Sequence, residues 1–155
     1  MGADQNTPGS GEALQVLDSL DAIRRRPGMF LPDDEPLAFA IVSLLLETAL
    51  RQSVVPLTVR ASADFRAIGA DADWLWRAPD GEPYHFDRLI ALPGGIRNSF
   101  RGEILLTAFA PFWAAVARGR VLYRSSARFD DARVLREAVG MGAFVVIVAE
   151  AAPAP

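Results

Sequence analysis

The sequence contains no cysteine, which excludes disulfides, thiolate zinc sites and cysteine nucleophiles and fits a reducing, cytoplasmic compartment. Lysine is missing too. All 16 basic residues are arginine, so neither a lysine Schiff base nor the lysine of a phosphate-cradling P-loop can form. His85 is the single histidine, which removes HExxH zinc sites and paired imidazole ligands. No apolar run approaches the roughly 18 residues of a membrane span; the longest are Pro36 to Leu46 and Ile104 to Ala117, and a proline interrupts the second. Neither sign of charge is in excess, with 16 basic against 19 acidic residues and a net charge of −3. Direct nucleic-acid binding therefore has no electrostatic footprint, and none is expected.

What the chain does have is material for a core. Hydrophobic residues make up 51% of its 155 positions, enough for one domain with a continuous interior and apolar surface to spare. Residues 1–11 read as a flexible polar tail without a hydrophobic signal core, and residues 151–155, only Ala and Pro, as a second tail. The single domain is expected over 12–150.

Within it, Leu14, Leu17, Leu20 and Ile23 form a helical stripe over residues 12–26 that stops at Pro27 and Gly28. Asp33, Asp34, Glu35 and Pro36 signal a second start, leading into a helix over 37–52 that is apolar nearly all round. Residues 57–62 alternate as a half-buried strand, and 65–70 return beside it. Trp74 to Trp76 and Tyr84 to Phe86 flank the turn residues Pro79, Asp80 and Gly81 and predict a hairpin. After a loop at Pro93, Gly94 and Gly95, a third helix is expected over 102–118, closed by Gly119. Residues 120–126 read as a strand, 132–139 as either strand or helix, and 143–149 as a buried strand. Clustered helices and meandering strands give an α+β fold, a helical layer packed on one face of a mixed, mainly antiparallel sheet.

The segment Val16 to Leu31, VLDSLDAIRRRPGMFL, resembles the opening of the ATPase domain found in the DNA gyrase B and topoisomerase IV family. Arg24, Arg26, Pro27, Gly28 and Met29 match that string, and Phe30 stands where an aromatic belongs. The resemblance implies the GHKL, or Bergerat, ATPase fold, and the order of elements read above is compatible with it. It also implies an entry region near a dimer contact, which makes Arg24, Arg26, Pro27, Gly28, Met29 and Phe30 candidate interface residues. Read on its own, the run Arg24 to Arg26 suits either a phosphate or acidic partner or the end of a helix dipole.

The family's working positions can be checked one by one. Its long helix carries a glutamate that activates water and, four residues later, an asparagine that holds magnesium. An ungapped alignment places Leu44 and Thr48 there, with Glu47 just before Thr48. Leu44 accepts no proton, and a base in reach of the water is the first requirement of hydrolysis. Glu47 lies about 300° around the helix from that position, and pairing with an arginine is its plainer role. The family's Asp-x-Gly-x-Gly motif corresponds to Ala70 to Leu75, where Asp71 or Asp73 stands in for the adenine-reading aspartate. Both glycines are absent, and Trp74 fills space that a ligand needs. The Gly-rich lid is reduced to Gly94, Gly95, Ile96 and Arg97, followed by Gly102.

The resemblance thus implies a vestigial nucleotide pocket of Glu47, Thr48, Asp71, Asp73, Gly94, Gly95 and Arg97, without ATP hydrolysis, catalytic residues, metal or cofactor. The expected function is a protein-binding, dimerising or regulatory module whose partner is another protein or a second copy. The alternative is a minimal ATP-binding domain that uses ATP and magnesium. A triad of His85, Ser99 and Asp87 lacks any supporting local signature. The aromatics Trp74, Trp76, Phe109, Phe112 and Trp113 have the spacing of core or interface.

Overall fold

The computed structural model describes residues 19–72, 74–75, 86, 89 and 100–151. Four α-helices and five strands occur there: α1 (Ser19–Arg24), α2 (Leu37–Arg51), β1 (Leu57–Ala61), β2 (Phe65–Ala70), α3 (Ile104–Phe109), β3 (Phe112–Ala117), β4 (Arg120–Arg124), α4 (Asp131–Ala138) and β5 (Phe144–Ala149), with a 3-10 turn at Pro27–Met29. The expected 74–76/84–86 hairpin, the 93–95 loop, the first turns of the 12–26 helix and the two tails fall mainly or wholly outside the described residues.

All six residues of β5 are buried, as the β-branched run FVVIVA requires of a strand covered on both faces. It is the middle strand of the order β1-β2-β5-β3-β4, and every pairing is antiparallel. Phe144, Val146 and Val148 point into one core, with Ile68, Ala70 and Ala115 of the neighbouring strands, Ile41, Leu45 and Ala49 of α2, and Ile104, Leu105 and Leu106 of α3. Val145, Ile147 and Ala149 point into the other, against Val134 and Ala138 of α4, with Phe129 and Met141. The α+β class stands, with a sheet that is antiparallel throughout rather than mixed. The helical layer is not confined to one face, because α4 covers the second. The ambiguous 132–139 stretch is that helix: Asp130 caps it by accepting from the Arg133 amide at 3.2 Å.

The helix expected over 102–118 is instead α3 followed directly by β3. Pro111 cannot continue a helix, and the six residues after it pair with β5 from Phe112↔Ala149 to Ala117↔Phe144. Arg118 and Gly119, both at positive φ, make the two-residue turn into β4. The register then jumps from Ala115↔Tyr123 to Val116↔Val121, leaving Leu122 as the extra residue of a bulge that blunts this sheet edge.

The helix ends are held by charged side chains from distant parts of the chain. The start of α2 has no side-chain cap from its own loop; the Glu150 carboxylate, beyond β5, accepts from the Ala38 amide at 2.7 Å. Arg24 donates to the carbonyls of Thr107 and Ala108 at the end of α3, at 3.1 and 3.3 Å. Arg60 of β1 donates to those of Glu137 and Val139 at the end of α4, at 2.6 and 2.9 Å. Each arrangement sets a charge against the complementary end of a helix dipole.

At its C-terminus α2 closes with two bonds, Ser53 N–H to Leu50 O at 2.9 Å and Val54 N–H to Ala49 O at 3.0 Å, the pattern of a Schellman motif. Its left-handed residue, normally glycine, is the exposed Ser53 at φ 57°. Replacing Ser53 by glycine relieves a conformation that costs a side-chain-bearing residue about 1–2 kcal/mol, less the extra freedom of glycine when unfolded. Urea denaturation of Ser53→Gly is expected to show a gain of about 1 kcal/mol; no gain contradicts this account of the helix end.

Candidate functional site

Two of the positions that the resemblance singles out, Leu44 and Thr48, lie where α2 meets the start of α3. Thr48 sits on the buried side of α2, and its hydroxyl donates back to the Leu44 carbonyl at 2.8 Å, the i−4 bond that helical threonines favour. The same oxygen accepts the Gly102 amide at 3.0 Å. Gly102 lies against the helix so closely that a Cβ there would come within 3.3 Å of the Leu44 carbonyl carbon, the Leu44 oxygen and Thr48 Oγ1. A side chain at this position would need the helix to give way by a few tenths of an ångström, and glycine avoids that.

Gly102 is flanked by two buried charges. Arg101 Nε lies 2.5 Å from Glu103 Oε1, with side chains 4% and 0% exposed. The contact is ionic, without the alignment that a hydrogen bond demands. Arg101 Nη2 also reaches the Trp74 carbonyl at 3.4 Å. Trp74 is buried and meets the ring of Phe144 edge-on, 6.3 Å between centroids. The Trp74 Nε1 donor has no hydrogen-bond acceptor among the described residues. Between α2 and the sheet, Ile41, Leu45, Trp74, Leu75 and Phe144 pack as one cluster, with Leu44 at its margin.

The remaining candidates divide. Glu47 is exposed and bound to Arg51 at 2.7 Å, one helical turn on; its carboxylate stands apart from the Thr48–Gly102 contact. Asp71 is exposed just beyond β2. Asp73, Gly94, Gly95 and Arg97 lie outside the described residues, as do His85, Asp87, Ser99 and Trp76. Of the entry string, Arg24 is occupied with the end of α3, and Phe30 is half-buried, edge-on to Phe100 at 5.5 Å. Arg26, Pro27, Gly28 and Met29 are exposed. Trp113 and Tyr123 stack at 4.3 Å between centroids, and Phe112 and Phe109 pack at the margins of the two cores.

Sequence reasoning missed Arg101 and Glu103. Their signal was present: opposite charges on either side of a glycine, directly before the apolar run Ile104 to Leu106. Elsewhere, a small groove between α4 and β2 is crossed by the Arg133–Asp64 ion pair at 3.0 Å. No group of three or more His, Cys, Asp or Glu that could hold a metal occurs among the described residues. No helix among them is long and apolar enough to cross a membrane. Comparison with known proteins finds no matching family model, no matching curated protein and no matching solved structure.

A buried ion pair costs most when half of it is removed, because the remaining charge is left without its partner. Arg101→Met alone is therefore expected to destabilise the fold by about 3–5 kcal/mol, while Arg101→Met with Glu103→Leu recovers most of that loss. Chemical denaturation of the single and double variants measures this directly. Equal losses in both would show that the pair is not the element holding this junction.

Proposed function

We propose that this chain is a protein-binding module on a GHKL-like scaffold, without ATP hydrolysis, that works by self-association or by docking to another protein in the cytoplasm. The observation that carries the reading is the Thr48–Gly102 hydrogen bond at 3.0 Å. In the ATPases that the Val16 to Leu31 string resembles, the position of Thr48 holds magnesium, and a Gly-x-Gly at a helix start receives phosphate. Here the corresponding hydroxyl and amide satisfy each other, and the glycine is in contact with the Leu44 backbone. An amide already bonded to a side chain must break that bond before it can receive a phosphate oxygen, and the buried donor it leaves carries a desolvation cost of about 1–3 kcal/mol.

Two further features support the reading. Leu44, at the place of the water-activating glutamate, has no proton acceptor, and the nearest carboxylate on α2, Glu47, is engaged by Arg51. Apolar surface is available for a partner: Met29, Phe39, Leu50, Val55 and Val59 are each 47% exposed or more.

Calorimetry with magnesium ATP, paired with a phosphate-release assay, tests the proposal. Neither heat of binding nor phosphate release is expected at millimolar nucleotide. Micromolar affinity with metal-dependent release would overturn it and select a minimal ATPase acting through Asp71 or Asp73, Glu47 and Arg97.

A further inference from the structure

The buried side of α2 accounts for Ile41, Leu45, Thr48 and Ala49, but its solvent side is not uniformly polar. Phe39 is 47% and Leu50 54% exposed; Ser43 is exposed and Leu46 half-buried between them. At 100° per residue these four fall within about 60° of the helix circumference. Their spacing of four, three and four residues is that of a coiled-coil seam. A surface helix of a self-contained domain would carry charge there. On α2 only Glu47 and Arg51 are charged, and both lie to one side of the seam, bound to each other.

We infer that α2 pairs with α2 of a second copy of this chain, antiparallel, through Phe39, Ser43, Leu46 and Leu50. The inference rests on the protein-binding reading above and names its partner. Three features select a second copy. The spacing reads the same from either end, so a twofold axis level with residues 44–45 sets Phe39 against Leu50 of the second copy and Ser43 against its Leu46. Bulky then meets bulky at the ends and small meets bulky near the axis, as interdigitating seams require. The charges are complementary under the same axis. The exposed Asp33, Asp34 and Glu35 precede the start of α2, and Arg51, which also pairs with Glu47, is its last residue. Each acidic triplet therefore approaches the arginine end of the other helix, where the guanidinium can be shared between the two carboxylate groups. Antiparallel helices also align their dipoles favourably.

Because the chain has no cysteine, single introduced thiols report the geometry without background. The whole chain is examined by sedimentation velocity at high micromolar concentration, and cysteine variants with a short bis-maleimide. Ser43→Cys is expected to cross-link into a two-chain species. Phe39→Cys alone is not, because its two copies lie about 16 Å apart along the seam, whereas a mixture of Phe39→Cys and Leu50→Cys chains is. Phe39→Glu with Leu50→Glu, both at solvent-exposed positions, is expected to weaken the dimer by at least about tenfold with an unchanged circular dichroism spectrum.

A dimer indifferent to that double variant, or cross-linking of Phe39→Cys alone as efficient as that of Ser43→Cys, overturns the antiparallel seam. A strict monomer also overturns it; if calorimetry with magnesium ATP is then still silent, the parent reading survives. Nucleotide binding sinks the parent reading whatever the mass.

Discussion

The two-sided burial of β5 is the constraint on which the architecture depends. Six consecutive apolar residues in the middle of the sheet direct alternate side chains to opposite faces, so neither face can be left to water. One face is closed by α2 and α3, the other by α4. The charged ties at the helix ends follow from that arrangement. Glu150, directly after β5, reaches the start of α2; Arg60 and Arg24 reach the ends of α4 and α3. Arginine suits this work because its planar fork spans two carbonyl acceptors at once, and in a chain without lysine every such tie falls to it.

Packing α2 and α3 on the same face brings the start of α3 against the helix. The Thr48 hydroxyl, the Gly102 amide and the Arg101–Glu103 pair then form a junction whose polar groups are directed at one another. Of these contacts the Thr48–Gly102 hydrogen bond is made within the chain, and a buried donor and acceptor that satisfy each other favour one arrangement. A site for an exchanging ligand needs the opposite, donors aimed at space that the chain itself does not fill. This difference links the packing to the proposed loss of hydrolysis, and it directs attention from the interior of the domain to the outward side of α2.

Much of the secondary structure was legible because it depends on local pattern. The β-branched run of β5 and the nearly all-apolar α2 each admit one reading. β1 forms where its alternation placed a strand, but its burial does not alternate, since Val59 and Ala61 are exposed and Arg60, reaching the end of α4, is half-buried. The stretch after Gly102 admits two, since alanine, phenylalanine and tryptophan serve a buried helix and a buried strand equally well. Pro111 was the only local divider, and pairing with β5 decided the outcome. The ties made by Arg24, Arg60 and Glu150 were not legible, since their partners lie 84, 77 and 112 residues away. At the candidate site, Leu44, Thr48 and Trp74 were identified from the resemblance. What Thr48 does there was not, because its second partner is a backbone amide from another element.

The central claim concerns one proton, that of the Gly102 amide. Measuring its hydrogen exchange by NMR, with and without magnesium ATP, tests the claim most directly. The account predicts slow exchange and a resonance that does not move when nucleotide is added. Rapid exchange in the free protein, or a nucleotide-dependent shift confined to Gly102 and Thr48, would contradict it.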